Sequence, residues 1–354
     1  MKIFKQLTYL LVATFLFVSC SSDDDAIDSP PLPLGDYEAG FFVANEGPFG
    51  TGTGTITFVA NDFSSVSQSI YNTVNSSDIG NVVNSMGFYA ESAYIVANNS
   101  HLVQVVNRYT FESEATITDG LDNPRNFVAV GDKGYITNWG DAFVETDDYI
   151  AVVDLLTNTV TETIALPLGP EKVIAVGTNL YVAHQGAYGQ NNLISVIDTT
   201  TDTVSTTITV GDVPNSMVLI GSDLWVLCGG APSYATVETA GSLVKVSTAT
   251  NTVSATMTFE VTEHPSLLTS EGSDLYYTLN GEVYTMDVAA ATLPTTSIIS
   301  GFFYGMTAHN GKLYATDAGD YASDGTLKVY DLATQVEEQS ITVGIIPGGI
   351  YFNN

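Results

Sequence analysis

The chain has 354 residues, of which 39 are acidic and nine basic, for a formal net charge of −30. Such a field repels phosphate backbones and anionic bilayers, so nucleic acid and charge-driven membrane adsorption are excluded as partners. Apart from Cys20 the only cysteine is Cys228, so no intramolecular disulfide is expected and stability must come from a packed core.

Residues 1–19 read as a leader. Lys2 and Lys5 give a basic start, Leu7 to Val18 is an apolar run, and Ser19-Cys20 closes it. The run is too short to cross a bilayer as a helix and has the form of an export signal. Phe17-Val18-Ser19-Cys20 resembles a bacterial lipobox, which implies cleavage before Cys20 and lipidation of that residue. Ser21-Ser22-Asp23-Asp24-Asp25 resembles the surface-export signal of Bacteroidota lipoproteins, implying an address on the outer face of the outer membrane. The plain alternative is a solvated charge run. Residues 20–38, with Pro30, Pro31 and Pro33, lack apolar periodicity and are expected to be a disordered tether. Membrane contact is then through the lipid anchor alone.

From residue 39 to residue 354 a unit of roughly 44 residues recurs, in the range expected of repeat architectures. Its aromatic leads are Phe42, Tyr94, Tyr135, Tyr181, Trp225, Tyr276 and Tyr314. Each unit holds short segments rich in β-branched and aromatic residues, as in Leu180-Tyr-Val-Ala183, Leu193-Ile-Ser-Val-Ile197 and Thr203-Val-Ser-Thr-Thr-Ile208. Four such strands per unit predict an all-β fold, a seven-bladed β-propeller with four-stranded antiparallel blades. The first unit begins at its second strand, and the chain ends on the unpaired segment Gly348-Gly-Ile-Tyr-Phe-Asn-Asn354. The C-terminal strand is therefore expected to complete the first blade and close the ring.

Several segments carry a family resemblance. Leu193-Ile-Ser-Val-Ile-Asp198, Thr207-Ile-Thr-Val-Gly211 and Pro214-Asn-Ser-Met217 resemble the YncE-like seven-bladed propellers. Val43-Ala-Asn-Glu-Gly-Pro-Phe-Gly50, Tyr94-Ile-Val-Ala-Asn-Asn99, Asn123-Pro-Arg125, Leu224-Trp-Val-Leu-Cys-Gly229, Asp317-Ala-Gly-Asp-Tyr321 and Gly344-Ile-Ile-Pro347 are similar to the DUF5074 branch of Bacteroidota surface lipoproteins. That resemblance implies capture of cobalamin outside the cell and a TonB-dependent outer-membrane transporter as partner. A fold of this kind hosts many functions, so the loops must decide.

In a propeller, the loops between second and third strands open on the same face as the blade-to-blade connections. Here those loops are long and unequal, and they carry Phe49, Trp139, Phe143, Tyr188, Tyr234 and Tyr321. The blade-to-blade turns bring Asn84, Arg125, Glu171, Asn215, Ser266, Tyr304 and Gly348 towards the axis. Aromatic loops over a few polar groups suit a bulky amphipathic ligand, and Phe49, Arg125, Trp139, Phe143, Tyr188, Tyr234, Tyr304 and Tyr321 are the expected ligand-binding residues. Arg125 has two readings: a clamp for a ligand phosphate or carboxylate, or an ion pair with Glu171 of the neighbouring blade. The acidic loop residues Asp141, Glu145, Asp147, Asp148, Asp320 and Asp324 offer oxygen ligands for a structural calcium but follow no EF-hand spacing, so no metal or cofactor is expected. The histidines, His184 included, lack metal spacing, and Cys228 has no local histidine and reads as a small packed group.

The expectation is a non-catalytic surface lipoprotein that captures a corrinoid, most readily cobalamin. Alternatives are a glycan- or protein-binding adhesion propeller, or capture of another transporter cargo such as a siderophore. Propeller lactonases and lyases need several ligands converging on the axis. The turns offer only Glu171 among neutral groups and Arg125, which argues against an enzyme.

Overall fold

All seven aromatic leads occupy the third position of a six-residue strand, and all seven are buried. These strands, from Gly40–Asn45 in the first blade to Lys312–Asp317 in the last, are the second of four in each of seven antiparallel sheets. The computed structural model describes residues 33–353; the leader, Cys20 and the acidic run behind it lie outside the described residues.

Burial follows strand position. Second and third strands such as Asn179–His184 and Leu193–Asp198 are buried along nearly their whole length, because a neighbouring blade covers each face. That is why they read as continuous apolar runs rather than as an alternation. The outermost strands, such as Thr203–Thr209, are exposed except at one inward residue, here Ile208. Threonine suits them, being β-branched and polar at an uncovered edge.

The tyrosines at the third position also tie blades together. The hydroxyl of Tyr94 donates to Asn158 Oδ1 (2.8 Å), that of Tyr135 to Asp202 Oδ1 (2.7 Å), and that of Tyr181 to Asn251 Oδ1 (2.5 Å). Each acceptor lies in the turn between the third and fourth strands of the next blade. Asn158, Asp202 and Asn251 have φ of 53°, 51° and 54°, a left-handed geometry that Asn and Asp tolerate. The ring fills the apolar space between blades while its polar tip fixes the spacing.

Closure occurs in the first blade. The strand Pro347–Phe352 lies innermost there and pairs antiparallel with Gly40–Asn45, from Phe41 opposite Phe352 to Asn45 opposite Pro347. Asn353 locks the joint: its backbone N–H donates to Gly40 O, and its amide donates to Tyr37 O (2.7 Å) and Arg108 O (3.1 Å). Tyr37, within the segment read as the tether, packs edge-on against Phe58 and Phe111. A short helix, Ile70–Asn75, leads from the first blade to the second and buries Ile70 and Tyr71. Deleting residues 347–354 should lower the thermal midpoint by roughly 10 °C or more, since several kcal/mol of pairing and burial are lost. A differential scanning measurement with an unchanged midpoint would show that the closure bears no stability.

Candidate functional site

The innermost strands begin on the loop face, commonly with a proline: Pro124–Val130, Pro170–Val176, Pro214–Ile220 and Pro347–Phe352. Proline needs no donor partner at a strand start. In six of the seven blades the ladder between the innermost and second strands is interrupted beside this start by an irregularity in register. Such bulges bend a strand and re-aim its side chains. All seven positions anticipated at the axis, from Asn84 round to Gly348, lie within one residue of an innermost strand's start and line one axial cavity of about 580 Å³. Deeper in, the same strands contribute Val173, Ile174, Met217, Met306 and Ile350, so a polar mouth lies over an apolar throat.

Arg125 is already paired. Its Nε and Nη2 donate to Glu171 Oε2 (2.8 Å) and Oε1 (3.1 Å) across the blade boundary, and its guanidinium lies 4.1 Å from the centre of the Trp139 ring. Of its two readings, the structure forms the ion pair. This two-point geometry fixes the guanidinium in place over the indole. Trp139 is itself buried and donates its indole N–H to Pro170 O (3.1 Å), so it is a floor rather than an exposed anchor. On the far side of the mouth the hydroxyl of Tyr304 donates to Glu46 Oε1 (2.9 Å). Burial pushes the Glu46 carboxyl above its ordinary range, an effect opposed by the Tyr304 hydrogen bond and by Arg125.

A second cleft, of about 390 Å³, opens beside the mouth and shares Glu46, Asn84, Arg125 and Tyr304 with it. Six of the eight expected residues line this cleft: Phe49, Arg125, Trp139, Phe143, Tyr188 and Tyr304. Phe143 and Tyr188, from loops of adjacent blades, stack with ring centres 5.3 Å apart and remain exposed. Tyr321 stands just outside, edge-on to Tyr304 at 5.7 Å. Tyr234 is not brought in: it is 89% exposed and lines neither space. Its loop is pinned elsewhere, by Thr239 donating to Asp212 Oδ2 (2.7 Å).

The remaining candidates have structural employment. His184 is fully buried between Pro167 O and Ser195 Oγ, and burial pushes its imidazole down to about 4. The buried Cys228 thiol is pushed up to about 12 by burial. Asp147 accepts the Asp141 N–H within its own loop. Among the described residues no group of three or more His, Cys, Asp or Glu side chains is placed to hold a metal ion.

Three residues at this face were not singled out from the sequence. Glu46 and Lys172 line the mouth, and Phe302, 84% exposed, lies over Gly281 in the connection between the sixth and seventh blades. A lysine at the third position of an innermost strand, in a chain with nine basic residues, was the available signal.

A family model described as Domain of unknown function (DUF5074) matches residues 39–343. No curated protein matches the sequence. Among solved structures, the fold is similar to Kuenenia stuttgartiensis hydrazine synthase (17% identity, TM-score 0.56, covering 75% of this chain and 91% of that one). It is similar also to dihydro-heme d1 dehydrogenase NirN in complex with DHE (12% identity, TM-score 0.57, 92% and 78%) and to the computationally designed Ika8 protein (10% identity, TM-score 0.57, 90% and 97%). At such identities the likeness concerns fold alone.

The loop bearing Trp139 and Phe143 ends at Asp148, which is buried and accepts the Gly169 N–H (2.8 Å) while its second oxygen has no partner. Burial, with Asp147 adding, raises this carboxyl from 3.8 to about 6. The folded state therefore takes up its proton before the unfolded chain does, so stability from this group falls as pH rises from about 4 to about 6. Asp148→Asn should remove that slope, changing the stability difference between wild type and variant by on the order of 2–3 kcal/mol between pH 4 and pH 7. Urea titrations at both pH values with a constant difference would show that Asp148 is ionised throughout.

Proposed function

The chain belongs to the DUF5074 family, and from that premise we propose that it is a ligand-capture propeller, binding a corrinoid such as cobalamin on its loop face without altering it. In this reading lipidated Cys20 holds the protein on the outer surface and a TonB-dependent transporter receives the cargo. The observation that carries the reading is the convergence of Phe49, Trp139, Phe143, Tyr188 and Tyr304 on one cleft continuous with the polar axial mouth. A broad ligand with apolar faces and an amide fringe needs this combination of ring surfaces to cover it and hydrogen-bonding groups to orient it. Arg125 is spent on Glu171, so its part is to position Trp139, and the ligand's phosphate would face solvent. His184 and Cys228 are buried away from the cleft, whereas His101 lines it beside Asp122, and two of the structural neighbours are enzymes.

The exposed faces of Phe143 and Tyr188 also fit a sugar ring, which keeps a glycan-binding role as the second reading. Titration calorimetry of residues 34–354 with cyanocobalamin, cobinamide and a glycan panel separates the two. Corrinoid binding is expected, with Phe143→Ala and Tyr188→Ala each weakening it by about 1–3 kcal/mol and Tyr234→Ala leaving it unchanged. Heat with a glycan and none with either corrinoid would replace the first reading by the second.

A further inference from the structure

Lys172 lines the axial cavity as the third residue of Pro170–Val176. Among the described residues, Arg125 and the other lysines each reach a carboxylate, and Arg108 is held by Asn353. Lys172 makes no hydrogen bond or ion-pair contact within the described residues. In a chain whose acidic groups outnumber basic ones 39 to nine, an ammonium without a carboxylate partner is a feature to explain. In the same cavity, Glu46 uses Oε1 for Tyr304, and its Oε2 has no partner among the described residues.

Burial chiefly depresses the Lys172 ammonium, opposed first by Glu171 and then by Glu46; burial likewise raises the Glu46 carboxyl, opposed by Tyr304, Arg125 and, least, Lys172. No ion pair joins them, so a gap wider than contact distance separates donor from acceptor. Beside them Arg125 and Glu171 already neutralise one another. The mouth thus holds two cations and two carboxylates. A carboxylate ligand drawn to Lys172 would meet Glu46, and an ammonium drawn to Glu46 would meet Lys172. A neutral group carrying an acceptor on one side and a donor on the other meets neither penalty.

The geometry points to Lys172 and Glu46 as a recognition pair for a primary carboxamide, whose carbonyl accepts from Lys172 Nζ and whose N–H donates to Glu46 Oε2. This deepens the capture reading and rests on the axial mouth belonging to the ligand site. Nicotinamide is a suitable small probe and nicotinate its charged control. With lysine labelled at ¹⁵Nζ, the Lys172 signal is assigned by its loss in Lys172→Met, and nicotinamide is expected to shift it while nicotinate does not. Glu46→Met should weaken the nicotinamide response about tenfold or more, as loss of a hydrogen bond to a charged group does. A Lys172 signal unmoved by nicotinamide, or moved equally by nicotinate, overturns the inference. The corrinoid reading fails separately. If cyanocobalamin binds and Lys172→Met leaves its affinity unchanged, the pair is no recognition element. If cyanocobalamin does not bind but nicotinamide shifts Lys172, the pair stands and the corrinoid falls.

Discussion

A blade with two apolar faces cannot be stable alone, and that constraint governs everything else in this molecule. Each four-stranded sheet hides its second and third strands only because a neighbour covers both sides. The requirement passes from blade to blade until it returns to the first, which is left without its innermost strand unless Pro347–Phe352 comes back to Gly40–Asn45. Tyr94, Tyr135 and Tyr181 show the constraint at the scale of one side chain, with ring in one interface and hydroxyl on the next blade's turn. A ring assembled in this way fixes its axis closely, because the innermost strands pack against one another all the way round.

The site inherits that rigidity. Each blade delivers at least one residue to the mouth from around the start of its innermost strand, which in most blades is followed by a bulge. What differs is the side chain delivered. Arg125 and Glu171 use two of the positions to bind each other and to brace Trp139, which in turn floors the outer cleft. Glu46 and Tyr304 form a second linked pair on the far side. The polar mouth is therefore a small circuit of groups from separate blades, and its net charge is close to zero in a strongly acidic protein.

The repeat was legible because its period is enforced by packing: an aromatic at the third position of a second strand serves the same interface in every blade. The axial positions were legible for the same reason. Loop direction was not. Tyr188 and Tyr234 sit in loops that look alike on paper, yet one stacks on Phe143 and the other is turned outwards by contacts such as Thr239 to Asp212. Lys172 was not singled out: it lines the same mouth as adjacent Glu171, whose carboxylate is taken by Arg125, 46 residues earlier. The Arg125–Glu171 pairing across a blade boundary was one of two readings of Arg125, and local sequence did not decide between them.

The joint at Asn353 also gives the molecule a direction. Tyr37 donates its backbone N–H to Tyr109 O, in the turn between the third and fourth strands of the second blade. By the up-and-down order of the strands, such turns lie on the face opposite the aromatic loops and the mouth. Tyr37 thus lies on one side of the disc and the cleft opens on the other. The joint that closes the ring and the cleft that is its candidate site therefore occupy opposite faces.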